Sequence, residues 1–376
     1  MNARRQLAAE SSRPDSPDRT QAALTESDWA YCKRALGEVS RTFSRPIAML
    51  RDELEVAVTV GYLLCRVADT IEDDPALDAD TRDHLFRVYL DVLERGADPA
   101  TFAAASRVIE ASPAHERELA QRLPRVLAVL ATLPDAMQAT VLHWVAEMSR
   151  GMGIYARRRP GVDGFVSLTG LPDLERYCYF VAGTVGHMLT ELFTAALPAL
   201  DPEAAITLQQ HAEAFAVGLQ LTNILKDFTD DFERRVSFVP RMTLQAAGVP
   251  LPEATDPARR AAVQAVMEPI FDRAQGALDR ALEYALALPA DARDLRLFCL
   301  LPLWLAVRTL AHTRGHADQL VPGRKVKIAR AEVEALIADC VQRAGDDDAL
   351  RRGYAHLKAL GKTPFRLPEK PSRARA

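Results

Sequence analysis

The stretch Tyr62-Leu-Leu-Cys-Arg-Val-Ala-Asp-Thr-Ile-Glu-Asp-Asp74 opens inside an apolar run, Val56 to Cys65, and closes with four acids in six residues before Pro75. At about 100° per residue on an α-helix, Tyr62, Arg66, Asp69, Glu72 and Asp73 share one sector. Leu63, Leu64, Val67 and Ile71 take the other side. The pattern predicts one helix, over 52–74, with a carboxylate patch at the C-terminal end of an apolar segment. The helix dipole is already negative there, and acids are rarely buried unless paired. The patch therefore calls for cations, unless it is only a solvated, frayed helix end.

Further along, Gln220-Leu-Thr-Asn223-Ile-Leu-Lys-Asp227-Phe-Thr-Asp-Asp231 follows an uncharged stretch from Ala214 to Leu225. On a helix over 211–233, Asn223, Asp227 and Asp231 stand at i, i+4 and i+8, about 6 Å apart along the axis, and Gln220 joins their face. Two helices thus each carry an oxygen-ligand stripe beside an apolar stretch. Facing each other, the stripes would repel without cations. Mg²⁺ prefers oxygen ligands and binds through one or two carboxylates plus substrate phosphates. Two such walls around Mg²⁺ make a diphosphate clamp, and the apolar flanks make a long cavity, the shape of a prenyl diphosphate.

Composition supports a large globular chain. The 376 residues exceed the ~100–150-residue mode for a domain and are 48% apolar and 26% charged, ordinary for a soluble protein. A net charge of −4 gives no general attraction to nucleic acid. Five scattered cysteines without a CxxC pair read as reduced thiols, so a cytoplasmic location is expected. Uncharged runs such as Tyr177 to Thr190 fall short of a ~20-residue spanning helix, and no secretory signal opens the chain.

Residues 1–25 lack periodicity and read as a disordered tail. Helical patterns then begin near Asp28 and recur over 81–95, 99–110, 114–132 and 135–157, with prolines marking starts or kinks. Ser40 to Phe43 reads as a junction, and residues 157–173 as a basic loop. Leu174 to Leu197 reads as a long apolar helix whose Gly183 and Gly186 suit close helix packing. There are no long β-alternating runs and no repeats. The His312/His316 pair has metal-ligand spacing but reads as surface. From 346 onward an extension is expected, ending in a basic, Pro-rich segment. That end either contacts anionic membrane or is a plain unstructured tail.

In these motifs the chain resembles the squalene and phytoene synthase family of head-to-head prenyl transferases, from about Trp29 to about Lys327. Asp69-Thr-Ile-Glu-Asp-Asp74 and Asn223-Ile-Leu-Lys-Asp227-Phe-Thr-Asp-Asp231 resemble the family's two aspartate-rich motifs. Ser40-Arg-Thr-Phe43 is similar to its flap segment, and Tyr177-Cys-Tyr-Phe-Val-Ala-Gly183 to its tyrosine-bearing helix. The resemblance implies an all-α, single-domain helical bundle of the isoprenoid-synthase type over 26–345, with a central cavity. It also implies a monomer. Mg²⁺ would be held by Asp69, Glu72, Asp73, Asn223, Asp227 and Asp231. Tyr62, Arg66 and Tyr177 would act on the reacting centre. Arg41, Arg66, Gln220, Lys226, Arg235, Lys327 and Arg330 would meet the diphosphates or NADPH.

The implied reaction joins two farnesyl diphosphates through a cyclopropyl diphosphate and reduces the product to squalene. The DxxED spacing of the first motif, Phe298-Cys-Leu-Leu-Pro302 and Val326-Lys-Ile328 resemble squalene synthases. Tyr179 and Phe180 are more similar to the carotenoid branch, which makes phytoene or dehydrosqualene without hydride. Arg235-Val236 stands where the family has Gly-Arg, and Ala329 where it has arginine. No GxGxxG fingerprint is present. A non-catalytic assembly factor of the same fold is the third alternative, disfavoured by the intact acids.

Overall fold

The structure, a computed structural model, describes residues 26–40, 42–316 and 318–367. The expected tail at 1–25, Arg41 and residues 368–376 lie outside the described residues. The chain is all-α: α1 (Asp28–Val39), α2 (Ser44–Ile47), α3 (Asp52–Asp73), α4 (Ala79–Arg95), α5 (Pro99–Ala105), α6 (Ala114–Gln121), α7 (Leu123–Leu130), α8 (Asp135–Ala156), α9 (Leu171–Cys178), α10 (Thr184–Ala196), α11 (Pro202–Lys226), α12 (Phe228–Glu233), α13 (Arg241–Ala246), α14 (Arg260–Ala287), α15 (Arg293–Thr313), α16 (Arg330–Arg343) and α17 (Asp347–Ala359). Side-chain caps start several of them. Ser27, Asp78, Asp201 and Asp346 each accept from a backbone N–H of the first turn, satisfying donors the helix itself leaves orphaned.

Three expected helices are interrupted, each at a local cause or a local consequence. The 114–132 pattern breaks at Arg122, because Pro124 sits in the first turn of α7, where its missing N–H is harmless. Between α9 and α10 a π-helical turn, Tyr179–Gly183, widens the helix. It lets the adjacent Val181 and Ala182 both face the central cavity. The helix carrying the second acid stripe is jointed at Asp227, between α11 and α12. The joint keeps the i, i+4 bonds: Asp227 N–H donates to Asn223 O at 2.8 Å and Asp231 N–H to Asp227 O at 3.0 Å. The stripe therefore survives the break.

α3 is the central element. Val60, Leu63, Leu64, Val67 and Ile71 are fully buried, and the helix packs on α8 and α10, while α11 packs on α10, α14 and α15. Phe180 lies over Gly151 of α8, where a Cβ would stand 2.0 Å from its ring. α15 is long and apolar enough to cross a membrane, yet most of it is buried within the bundle. Its Arg308 ion-pairs with Glu332 at 2.5 Å and donates to Gly361 O and Thr363 O. Glu332 in turn accepts from Phe365 N–H. This buried knot docks α17 and the chain after it onto the core.

Among the described residues strand pairing is confined to Val166–Ser167 against Val236–Ser237, in parallel. It ties the 157–173 loop to the chain leaving α12. Arg235, just before it, has φ +61°, the left-handed region that disfavours a side chain; it turns the chain into the pairing.

The small-residue stripe sits at a helix crossing. A Cβ on Gly186 would stand 2.0 Å from Ala212 O, a backbone atom of α11. Gly186→Ala should therefore destabilise the protein by ~1–3 kcal/mol through overpacking, read from urea unfolding midpoints. A stability equal to wild type would mean that α10 and α11 are not this close.

Candidate active site

A cavity of about 540 Å³ opens between α3, the α9–α10 segment and α11–α12. Each of the two acidic helices turns from apolar to acidic in the same direction. On α3 the lining runs from Val58 through Tyr62, Cys65 and Arg66 to Asp69, Glu72 and Asp73. Along α11 and α12 it runs from Phe215 through Leu219 and Gln220 to Asn223, Asp227, Asp231 and Arg234. The acidic ends meet. Arg234 reaches both: Nη2 is 2.6 Å from Asp231 Oδ1, and Nη1 is 3.6 Å from Asp73 Oδ1. The cavity thus has a carboxylate end and an apolar end, the latter walled by Phe43, Met188, Leu189 and Phe298 among others.

Asp231 is buried, Asp69 and Glu72 are half-buried and Asp73 stands at the open edge, and the crowding shows in their protonation. Burial raises Asp69 to about 6, against the pull of Arg66, with Asp73 adding to the rise. Burial likewise raises Asp231 to about 6, against Arg234. Glu72 moves well above the carboxylate range, through burial and then the charges of Asp73 and Asp69. Burial also raises Asp73, with Arg234 opposing. Among the described residues, Arg66 and Arg234 are the cations that line the cavity with these acids.

Arg66 is oriented by two acids. Nη2 donates to Glu116 Oε1 at 2.6 Å and Nη1 to Asp69 Oδ2 at 3.3 Å. Glu116, a buried residue of α6, had no sequence signal, because its partner lies 50 residues away. Tyr177 is buried, with its ring stacked on Phe238 at 4.8 Å and edge-on to Tyr155 at 5.0 Å. Burial, with Glu72 and Asp73 nearby, lifts its hydroxyl well above the tyrosine range, so it stays protonated near neutrality. Burial also raises Tyr62, with the Ser40 hydroxyl and Arg66 opposing. Its ring lies 5.9 Å from Phe43, which places the Ser40–Phe43 junction on the cavity.

Of the residues singled out in the sequence, Tyr62, Arg66, Asp69, Glu72, Asp73, Tyr177, Gln220, Asn223, Asp227 and Asp231 line this one cavity. Arg235 does not. The left-handed turn sends its guanidinium over the Phe165 ring, 5.0 Å from the centroid, and Arg234 takes the inward place. Lys226 lies outside the lining and pairs with Asp227 at 2.5 Å. Lys327 is exposed, and the exposed Arg330 pairs with Glu334 of its own helix. Lys325, not anticipated, pairs with Asp230 on the outer side of α12. Arg41 lies outside the described residues.

The acidic end of the cavity presents carboxylate and amide oxygens, the choice of a hard cation such as Mg²⁺. Among the described residues no three His, Cys, Asp or Glu side chains converge as an all-protein metal cage.

Comparison with known proteins places this architecture. A family model described as squalene/phytoene synthase matches residues 36–332. The squalene synthase of Schizosaccharomyces pombe is 28% identical over 317 residues, 82% of this chain and 64% of that protein. The presqualene diphosphate synthase of Botryococcus braunii is 30% identical over 220 residues, 58% of this chain and 48% of that protein. The chain thus spans less than two thirds of the length of these curated relatives. A solved structure of TcSQS in complex with the ligand BPH1237 superposes with a TM-score of 0.74 at 25% identity, covering 88% of this chain and 90% of that one. With a family model matched across most of its length, and both acid motifs on one cavity, this chain belongs to the squalene/phytoene synthase family.

Proposed function

We propose that the protein is a prenyl transferase that condenses two farnesyl diphosphates head to head, by way of presqualene diphosphate, and delivers squalene. The single observation that carries this is the cavity's polarity: facing carboxylates on two helices at one end, an apolar wall at the other. Such a site holds diphosphate heads in one place and isoprenoid chains in the other. Mg²⁺, when bound between diphosphate and carboxylate, would neutralise the leaving group. Asp69, Glu72 and Asp73 on one wall, and Asn223, Asp227 and Asp231 on the other, are the residues that would hold it.

The chain's own residues supply the rest. Arg66, fixed by Glu116 and Asp69, presents a guanidinium to a departing diphosphate, a charge-assisted contact. Tyr177, with its hydroxyl kept protonated, is a poor base on its own. It positions the proton lost during cyclopropane closure, and the released diphosphate takes it. Phe43, Phe215 and Phe298 keep water from an allylic cation. Gln220 extends the polar face toward the apolar end.

NADPH is proposed as the reductant by resemblance. The cations assigned to it do not by themselves build a dinucleotide pocket: Lys226 is engaged by Asp227 and Arg330 by Glu334, while Lys327 is free on the surface. No hydride step is derived from them. Tyr179 and Phe180 support the second reading, a dehydrosqualene or phytoene synthase without reduction. Contact with a membrane through the basic tail, and a monomeric state, complete the proposal.

Two measurements test it. Incubation with farnesyl diphosphate, Mg²⁺ and deuterium-labelled NADPH should yield squalene carrying one deuterium. Dehydrosqualene or phytoene regardless of NADPH would select the second reading, and accumulation of presqualene diphosphate would remove the reductive half. The acids also set a pH dependence. Cation binding favours the ionised form of Asp69 and Asp231, whose protons compete below about 6. Mg²⁺ affinity, measured calorimetrically, should therefore fall as pH drops through 6, with up to about one proton released per affected acid. An affinity unchanged between pH 5.5 and 7.5 would count against these carboxylates as ligands.

A further inference from the structure

Among the described residues, Arg234 is the side chain that ion-pairs with both acid walls, and nothing in the sequence pattern singled it out. It ends α12, where its N–H donates to Asp230 O at 3.3 Å. Its neighbour Arg235 is turned outward by the left-handed backbone, over Phe165. That turn splits two adjacent arginines, so that only Arg234 lines the cavity. Its fork joins Asp231 on the second wall to Asp73 on the first. The two partners differ: Asp231 is nearly buried, with 9% of its side chain exposed, whereas Asp73 is 58% exposed and the guanidinium 55%. The Asp231 contact is close, and the Asp73 contact is long and wet, the weaker kind of ion pair.

We infer that Arg234 is the resident counter-ion of the clamp: it bridges the two acid walls when no metal is bound, competes with metal for Asp73 and Asp231, and turns to the diphosphate when metal displaces it. This deepens the proposed function and rests on the metal clamp assumed there. A guanidinium between Asp231 and Asp73 adds a second positive charge to that of Arg66 at the acidic end. It is tethered, so it cannot be washed out, and its half-exposed position leaves it free to swing. Once a divalent ion takes the carboxylates, the freed fork faces the same space as the incoming phosphate oxygens, which it can bind bidentately. Arg234 is thus a positioning residue for the clamp, one that holds the walls in register before the metal arrives.

The test uses Mn²⁺ as the metal probe, with free Mn²⁺ followed by electron paramagnetic resonance, on wild type, Arg234→Gln and Arg234→Lys without substrate. Removing a competing positive charge a few ångströms from the ion should tighten Mn²⁺ binding in Arg234→Gln about tenfold. Arg234→Lys, which keeps the charge, should stay near wild type. In EDTA, Arg234→Gln should melt at a lower temperature than wild type, and Mn²⁺ should raise its melting temperature by more. With saturating Mn²⁺, inorganic pyrophosphate should bind Arg234→Gln more weakly than wild type. Equal or weaker Mn²⁺ binding by Arg234→Gln, with wild type binding normally, overturns the inference and leaves the clamp standing. Absence of Mn²⁺ binding in wild type, even with pyrophosphate, overturns the clamp and the inference together. If Arg234→Gln fails to fold, Arg234→Ala at this half-exposed position takes its place: Mn²⁺ binding tighter than wild type supports the competition, and equal or weaker binding overturns it.

Discussion

The structure depends on the repulsion between two rows of carboxylates that the fold forces to face each other in partial shelter from water. Nothing about α3 or α11 alone requires it. The repulsion arises because the apolar flanks of both helices must be buried, and burying them around one cavity brings their acidic ends together. Asp69 and Asp231 respond by holding their protons to about pH 6, and Arg66 and Arg234 are drawn in as counter-charges. A site prepared in this way gains most from a divalent cation, since the cost of gathering the acids is met by the folded core before any ligand arrives.

The apolar wall is the other half of the same arrangement. Gly151 admits Phe180, the π turn brings Val181 and Ala182 to the cavity, and Gly186 lets α10 lie against α11. These close approaches shape the greasy end without placing a polar group in it.

Much of this was legible in the sequence because helical spacing maps directly onto a face. Asp69, Glu72 and Asp73, like Asn223, Asp227 and Asp231, were placed by periodicity, and the jointed helix at Asp227 kept their spacing through its i, i+4 bonds. What was not legible depended on contacts between distant segments or on backbone sign. Glu116 reaches Arg66 across 50 residues, and no local pattern marks it. Arg235 was expected at the diphosphate, but a single positive φ reverses the chain there and hands the inward place to Arg234. Of the cations assigned to a reductant, Lys327 and Arg330 sit exposed, where sequence resemblance fixes position without fixing partners.

The central claim is that the two acid walls act jointly, through metal, on one diphosphate site. Calorimetric titration of inorganic pyrophosphate into wild type, Asp69→Asn and Asp227→Asn, with and without Mg²⁺, tests it most directly. The account predicts binding to wild type only when Mg²⁺ is present, and a loss of at least about 100-fold, roughly 2.7 kcal/mol, in each variant while helical circular dichroism is unchanged. Pyrophosphate binding that needs no Mg²⁺, or that survives intact in either variant, would contradict it.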